Sequence, residues 1–347
     1  CSSDLDFYIH AIHLLKTIAK FNLIEINHTT IRIGVSRAQE IAASGGFATA
    51  IKPYLRITGV GGRCYMVALR VDSSATVTGD SGPEMRPGFK SMLEAAERAG
   101  RIHMIDHELR FNPNRMRIAE LIADGSLGEI RHVDITNVGS TWSDPASRPQ
   151  DDWWSLAEKG GGRLGANGSH QVDLLRWWLG EVKWVTGSAP VMVPDRIGRD
   201  TGEAWTATAD DVAYFTAEME SGAVAQVLMS GVAAHNMGNV TRIFGSEGTV
   251  TLNNDDERLF FARAGEAFEE ITVTDPNADL PGVNAGIWNV SVVALMRELC
   301  GAIREGRAPG HGATFVDGLA NQRVLDAVKI SGAERRWVRP EEAHDER

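Results

Sequence analysis

A histidine and an aspartate three positions apart follow a run of glycines, and these residues are the best suited to chemistry in the chain. The glycines are Gly160, Gly161 and Gly162, and the pair is His170 and Asp173. Glycines allow positive φ and let a backbone pass close to a ligand. An imidazole beside a carboxylate can take up or release a proton near neutral pH. The spacing predicts a proton-transfer pair; the alternative is a buried histidine that only packs or caps its helix.

A helix is needed to bring these two side chains together. Val172, Leu175 and Trp178 recur at helical spacing, and Gly180 follows as a stop. Residues three apart on a helix are surface neighbours, so His170 would lie beside Asp173 in the first turns. The sequence therefore predicts a flexible loop that delivers a histidine to a site.

The string from Gly160 to Gly180 resembles the G-G-G-x-L-x-D-x-G-x-H-x-x-D-x-x-x-x-L-x-G signature of the Gfo/Idh/MocA oxidoreductases. The matching positions are the three glycines, Leu164, Gly168, His170, Asp173, Leu179 and Gly180. One position departs, because Ala166 stands where the family usually carries an aspartate. The resemblance implies hydride transfer between NAD or NADP and a sugar, cyclitol or related polyol. His170 and Asp173 would be its catalytic residues.

Three further segments fit the same family, and the resemblance extends over about residues 87–338. Leu109 to Pro113 resembles its R-F-x-P segment, Gly245 to Gly248 resembles its G-T-E-G turn, and residues 305–331 resemble its C-terminal pattern. By this resemblance Arg110 and Asn167 would contact substrate. For Arg110 the alternative is a surface residue that covers the start of a helix.

A loop rich in tryptophan precedes the glycine run and is a second candidate for substrate binding. It extends from Trp142 to Trp154 and includes Trp153. Indole rings stack on the apolar faces of sugars, and loops commonly carry specificity. We take Trp142 and Trp153 as substrate candidates, with packing of the loop as the alternative.

The candidate nucleotide loop is Gly59 and Gly61, which follow a short apolar strand. Such glycines let backbone amides approach a pyrophosphate. The alternative is a turn between two strands, because no acidic residue follows at the expected distance and the family's Glu-Lys-Pro motif is absent. A second functional hypothesis follows: a non-catalytic or truncated relative whose C-terminal domain folds and oligomerises without a working cofactor site.

Composition limits the classes of partner. The 347 residues carry a net charge of −11, which argues against nucleic acid as a ligand. The apolar run near residues 7–26 is broken by charges, so neither a membrane span nor a signal peptide is expected. Three scattered cysteines favour a reducing, cytoplasmic location. His103 and His107 would lie too far apart on a strand to share a metal, and no metal site is predicted.

We expect an α/β fold in which an incomplete or altered Rossmann-like domain precedes an α+β domain with a large, mostly antiparallel sheet. The predicted divisions are an atypical, chimeric-looking region at 1–86, the end of a Rossmann-like domain at 87–127, a substrate and oligomerisation domain at 128–338, and a charged tail at 339–347. The resemblance implies a homodimer or homotetramer assembled through the sheet.

The patterning also predicts individual elements. Helices are expected at 89–99, 113–123, 287–305 and 314–331, and strands at 102–107, 182–188, 211–219 and 223–232, with a hairpin turn at 220–222.

Overall fold

The computed structural model describes residues 54–58, 64–68, 85–150, 152–280 and 286–345. These residues divide into two compact units. The first comprises 54–58, 64–68, 93–112, 275–280 and 286–315, and the second comprises 85–92, 113–150, 152–274 and 316–345.

The first unit contains a small sheet of three strands. They are β1 (Tyr54–Thr58), β2 (Cys64–Ala68) and β3 (His103–Ile105). Strands β1 and β2 are antiparallel, whereas β2 and β3 are parallel. Helix α1 (Met85–Arg98) lies between β2 and β3 in the chain.

A long helix completes the core of this unit. Helix α4 (Ile287–Glu305) packs its apolar face on β3 and on a 3₁₀ turn at Glu108–Phe111. The buried core residues are Met104, Phe111, Leu295, Met296 and Leu299. The sequence-based division places residues 287–305 in the second domain, whereas in the structure their apolar stripe is buried in the core of the first unit.

The second unit is built on an eight-stranded sheet with the order β13-β12-β11-β10-β4-β9-β8-β5. The strands are β4 (Ile130–Val138), β5 (Val182–Ser188), β8 (Val212–Met219), β9 (Val224–Ser230), β10 (Gly238–Gly245), β11 (Gly248–Asn253), β12 (Arg258–Arg263) and β13 (Glu269–Glu270). All neighbours are antiparallel except β4 and β9, which pair in parallel. The expected large, mostly antiparallel sheet is therefore confirmed.

Helices cover one face of this sheet. They are α2 (Pro113–Ala123), α3 (Ser169–Leu179) and α5 (Phe315–Glu334), and a short α6 (Glu342–Asp345) follows near the end of the chain. Side chains alternate along β8, where Ala213, Phe215 and Ala217 are buried. This period of two is what a sheet with one covered face requires. No helix within the described ranges is long and apolar enough to cross a bilayer.

Most predicted elements are confirmed, and the differences have local causes. Residues 113–123, 182–188 and 287–305 form the predicted elements without a shift. The strand predicted at 102–107 ends at Ile105, because the His107 N–H turns back to bond the Ile105 carbonyl. A small hairpin of β6 (Asp195–Ile197) and β7 (Ala204–Thr206) was missed, since three residues are too few to show a period.

Candidate active site

The glycine run ends in a residue that requires glycine. Gly162 has φ +116°, and a Cβ built on it would lie 2.9 Å from Cγ of Asp210. A side chain at this position would meet both an unfavourable backbone conformation and an occupied space. The loop therefore passes directly against a carboxylate from the segment before β8.

A π-helical segment, Leu164–Gly168, leads into α3 without a break. Ala166 lies within it, and its N–H bonds the Gly162 carbonyl at 3.1 Å. Single π turns inside helices occur frequently at functional sites. His170 follows in the first turn of α3, where it is only 5% exposed. His170 thus follows a continuous π-to-α helical start rather than a flexible loop, and its delivery to a catalytic site stays a prediction.

Asp210 anchors the start of this segment. Its Oδ2 accepts a hydrogen bond from the Leu164 N–H at 2.7 Å, and its backbone carbonyl accepts one from the Arg163 N–H at 3.0 Å. Burial raises the pKa of the Asp210 carboxyl group to about 6, against the opposing effects of the Leu164 N–H and the positive charge of Lys329. No motif in the sequence points to Asp210.

Arg163 joins two of the predicted substrate residues. Its Nη1 donates to Oδ1 of Asn167 at 3.3 Å, and its guanidinium carbon lies 4.6 Å from the centre of the Trp142 ring. Burial lowers the pKa of Arg163. Trp142 is only 4% exposed, so its ring is occupied by protein contacts. Trp142 and Asn167 are therefore brought together through Arg163, which no sequence motif singles out.

The other tryptophans of the loop belong to the same cluster. The Trp154 ring lies 4.6 Å from Trp153 and 6.2 Å from Trp142 between ring centres. Trp153 lies in a 3₁₀ turn, Trp153–Ser155, and is half-buried. Of the two predicted indoles, Trp153 thus retains more exposed surface than Trp142.

A buried ion pair holds the segments around this cluster. Nη2 of Arg196 lies 3.1 Å from Oδ2 of Asp211, and each side chain is 1% exposed. Asp211 also accepts the backbone N–H groups of Met192 and Val193. Arg196 lies 5.6 Å from the Trp142 ring centre. The two adjacent acids at 210–211, just before an apolar strand, were the sequence signal for this network.

Asp173 makes a contact that ties α3 to α5. Its Oδ1 accepts a hydrogen bond from Nδ2 of Asn321 at 3.0 Å, and Oδ1 of Asn321 accepts one from Nη1 of Arg176 at 2.9 Å. Asp173 is 1% exposed. These bonds give the aspartate a structural function, and its support of His170 stays a prediction.

Arg110 belongs to the first unit, whereas the residues above belong to the second. It lies in the 3₁₀ turn after β3, is 5% exposed, and donates from Nη1 to the His311 carbonyl at 3.3 Å. Its predicted contact with substrate stays a prediction.

The histidines considered as metal ligands have other contacts or lie apart from a cluster. Within the first unit, Nδ1 of His103 accepts the Phe315 N–H at 3.1 Å. Among the residues that the structure describes, no group of three or more His, Cys, Asp or Glu is placed to hold a metal.

Gly59 and Gly61, the predicted cofactor-binding residues, lie outside the described residues. The strands on either side are antiparallel, with Thr58 opposite Cys64, as the alternative of a turn between two strands predicts. A dinucleotide site is normally built on a βαβαβ unit of parallel strands. The three described strands of the first compact unit include one parallel pair, and they do not form a βαβαβ motif. We therefore assign no residue to the cofactor.

Residues 116–251 match the family model of the GFO/IDH/MocA C-terminal domain. An uncharacterized oxidoreductase of Synechocystis sp. is 27% identical over 241 residues, which are 67% of this chain and 64% of the relative. An inositol 2-dehydrogenase of Rhizobium meliloti is 29% identical over 236 residues, which are 68% and 64% of the two chains.

A solved structure supports the same fold. The NAD binding oxidoreductase from Klebsiella pneumoniae is 26% identical, with a TM-score of 0.64 over 73% of this chain and 70% of that one. The family resemblance is thus confirmed. The chain spans 64% of the length of either curated relative.

Proposed function

Because residues 116–251 match the family model of the GFO/IDH/MocA C-terminal domain, we propose that this chain belongs to a nicotinamide-dependent oxidoreductase that acts on a hydroxyl group of a sugar, cyclitol or related polyol. The observation that carries the proposal is the buried His170, presented at the start of α3 by a π segment and a glycine run.

In this proposal His170 exchanges the proton of the substrate hydroxyl group. A histidine has a pKa close to the working pH, so it can take up the proton in oxidation and return it in reduction. Its low exposure limits the access of water to the imidazole. The nicotinamide ring, when bound, supplies the hydride chemistry.

Asn167, Arg163 and Trp153 are the proposed contacts for the rest of the substrate. Asn167 and Arg163 are hydrogen-bonded to one another and are both half-buried, so each is held in place and still partly accessible. A polyol presents several hydroxyl groups, which need such fixed donors and acceptors. The half-buried Trp153 ring suits the apolar face of a sugar.

The uncovered face of the large sheet is the proposed contact between subunits. Tyr214 and Leu228 lie opposite each other on β8 and β9, and they are 48% and 41% exposed. Val224, on the same strand face, is 37% exposed. We propose a homodimer or homotetramer assembled through this face. A Leu228→Glu variant should dissociate in light scattering coupled to size exclusion; an unchanged mass would contradict this arrangement.

A second candidate function is a relative without catalysis, whose sheet domain folds and oligomerises only. Two observations favour it. Ala166 replaces the signature aspartate. Among the three described strands of the first unit, one pair is parallel, whereas a βαβαβ dinucleotide-binding unit has three parallel strands. This candidate and the oxidoreductase differ in one measurable property, which is binding of the cofactor.

The first experiment is therefore a titration of the purified chain with NADH and NADPH, followed by tryptophan fluorescence or calorimetry. Saturable binding in the range of about micromolar dissociation constants supports the oxidoreductase. It should be followed by a screen of sugars and cyclitols in which His170→Ala lowers kcat by about 100-fold or more. Absence of binding at millimolar cofactor would favour the second candidate.

His170→Gln is the matched variant, because it retains hydrogen bonding but cannot act as an acid or base near neutral pH. It should lose as much kcat as His170→Ala. Turnover retained by both variants would contradict the proposed function of His170.

A further inference from the structure

We propose that Asp210 is a positioning residue: its carboxylate holds the glycine run and the π segment in the conformation that presents Asn167 and His170. The inference rests on the proposed function for its effect on turnover. Its effect on the loop does not depend on that function.

Asp210 contacts the loop at three successive positions. Asp210 is bonded to two consecutive residues of the loop, through its side chain to the Leu164 N–H and through its backbone to the Arg163 N–H. The carboxylate also fills the space that a side chain at Gly162 would need. Three successive residues, the last of which begins the π segment, are thus located by one aspartate.

Asp210 also accepts a backbone N–H group at the start of the helical segment. The first turn has donors without an intrahelical partner, and a negative charge there is favourable. No side-chain cap is supplied by Arg163 to the π segment or by Gly168 to α3. Asp210 supplies the acceptor from a distant part of the chain, so its removal should free the first turn rather than the whole domain.

Position 166 lacks the carboxylate of the family signature. Where the family signature has an aspartate, Ala166 cannot accept a hydrogen bond through its side chain. A carboxylate is nevertheless present at this loop, because Asp210 brings one from the segment before β8. We assign to it the positioning of the loop and not contact with the reacting atoms.

The charged groups around Asp210 agree with a fixed carboxylate. Arg163 of the loop and Lys329 of α5 both act on it electrostatically, and Asp211 follows it in the chain. A carboxylate enclosed in this way loses hydration, a cost that proteins accept more often at functional sites than elsewhere.

The test compares Asp210→Ala, which removes the acceptor, with Asp210→Asn, which retains one. Hydrogen exchange of the backbone amides at 163–168 is measured by mass spectrometry or NMR. We expect exchange in Asp210→Ala to be faster by about tenfold or more, and exchange in Asp210→Asn to stay within about threefold of the unmodified chain. Unchanged exchange in Asp210→Ala would overturn the proposal.

Asp124→Ala is the matched control, because Asp124 also accepts a backbone N–H through its side chain, from Ser126 at 2.8 Å, but away from this loop. It should leave exchange at 163–168 unaltered. If Asp210→Ala fails to fold, Gly162→Ala gives the same local test, since the added methyl group collides with the carboxylate. Normal exchange at 163–168 in a folded Gly162→Ala chain would also overturn the proposal.

Turnover provides a second readout that separates this inference from the proposed function. In an active chain, Asp210→Ala should lower kcat by about tenfold with KM changed by less than about threefold, and Asp210→Asn should restore kcat. A chain without turnover contradicts the proposed function, while the exchange measurement still decides whether Asp210 holds the loop. If the unmodified chain and Asp210→Ala have equal kcat, the positioning function of Asp210 is refuted, even when hydrogen exchange at 163–168 is altered.

Discussion

The guanidinium carbon of Arg163 lies 4.6 Å from the centre of the Trp142 ring, and the same arginine donates a hydrogen bond to Asn167. The ring thus supports the cation that orients a proposed substrate contact. Cation–π contacts of this kind contribute about 0.5–2 kcal/mol. In the proposed site Trp142 would therefore act through Arg163, as Asp210 would act through the loop.

Replacing Trp142 by leucine should lower the free energy of unfolding by about 3 kcal/mol, because it leaves a cavity and removes the surface that supports Arg163. Urea denaturation measures the change. Trp337→Leu is the control, since Trp337 is 45% exposed and should change stability by less than about 1 kcal/mol. Equal losses in the two variants would contradict the packing function of Trp142.

Removing one partner of the buried Arg196–Asp211 ion pair should lower stability more than replacing both partners together. Arg196→Met leaves a buried carboxylate without its cation and should lower stability by about 3–5 kcal/mol. The double variant Arg196→Met/Asp211→Asn should lose at least about 1 kcal/mol less than the sum of the single variants. A double-mutant cycle by chemical denaturation measures this coupling, and strict additivity would show that the two side chains act independently.

Gly162→Ala should be destabilising by about 2–3 kcal/mol, because positive φ and the Asp210 carboxylate both oppose a side chain. Gly222→Ala is the matched variant: Gly222 also has positive φ, at +88°, but no atom lies within 4 Å of its added Cβ. It should lose only about 1 kcal/mol. Thermal or urea unfolding of both proteins gives the comparison, and an equal loss would mean that the carboxylate can move aside.

Asp210 should also make stability depend on pH. Because burial raises its folded-state pKa from 3.8 to about 6, the folded protein holds a proton that the unfolded chain releases in this window. The contribution of this carboxyl group to the free energy of unfolding is therefore present below about pH 4 and is lost as pH rises through about 6, by at most about 3 kcal/mol.

Asp210→Asn lacks this titration. The free energy of unfolding of Asp210→Asn minus that of the unmodified chain should therefore increase as pH rises from about 4 to about 8. Urea denaturation at both pH values measures this change. A stability difference that stays constant across this range would show that the carboxyl group titrates normally.

Asp173 can be assigned by comparing it with its partner. If its function is to tie α3 to α5, Asp173→Asn and Asn321→Ala should each lower stability by about 1–2 kcal/mol, because a buried hydrogen bond is lost or weakened. In an active enzyme both variants should then retain kcat within about tenfold. A loss of kcat in Asp173→Asn alone would instead support the predicted assistance to His170.

Much of the fold was predictable because its elements are long and strongly patterned. The helix that carries His170 was identified from a few apolar positions and a terminal glycine, and the structure places it at Ser169–Leu179. The π segment was not predictable, since its residues carry no periodic signal that differs from an α-helix.

The residues around the site were harder to identify than the elements. Asp210 and Arg163 meet from positions 47 residues apart in the chain, and only tertiary structure brings a carboxylate to a distant glycine. An indole such as that of Trp142 suggests contact with a sugar, whereas in the structure its ring contacts Arg163 and Arg196. The local sequence pattern indicates which side chains could take part in binding or catalysis. It does not indicate which other side chains they contact in the folded protein.

The parallel pairing of β4 with β9 has a consequence for synthesis of the chain. His132 lies opposite Val224, and the other neighbour of β4 is β10, which comes later still. During translation β4 therefore emerges long before either partner. The chain between β4 and β9 includes the helix that carries His170, and all of it must be in place before β4 and β9 can pair. Such non-local pairing slows folding and leaves an apolar strand edge exposed to aggregation in the meantime. Yield in a heterologous host should thus depend on chaperone supply and temperature more than on the stability of the finished sheet.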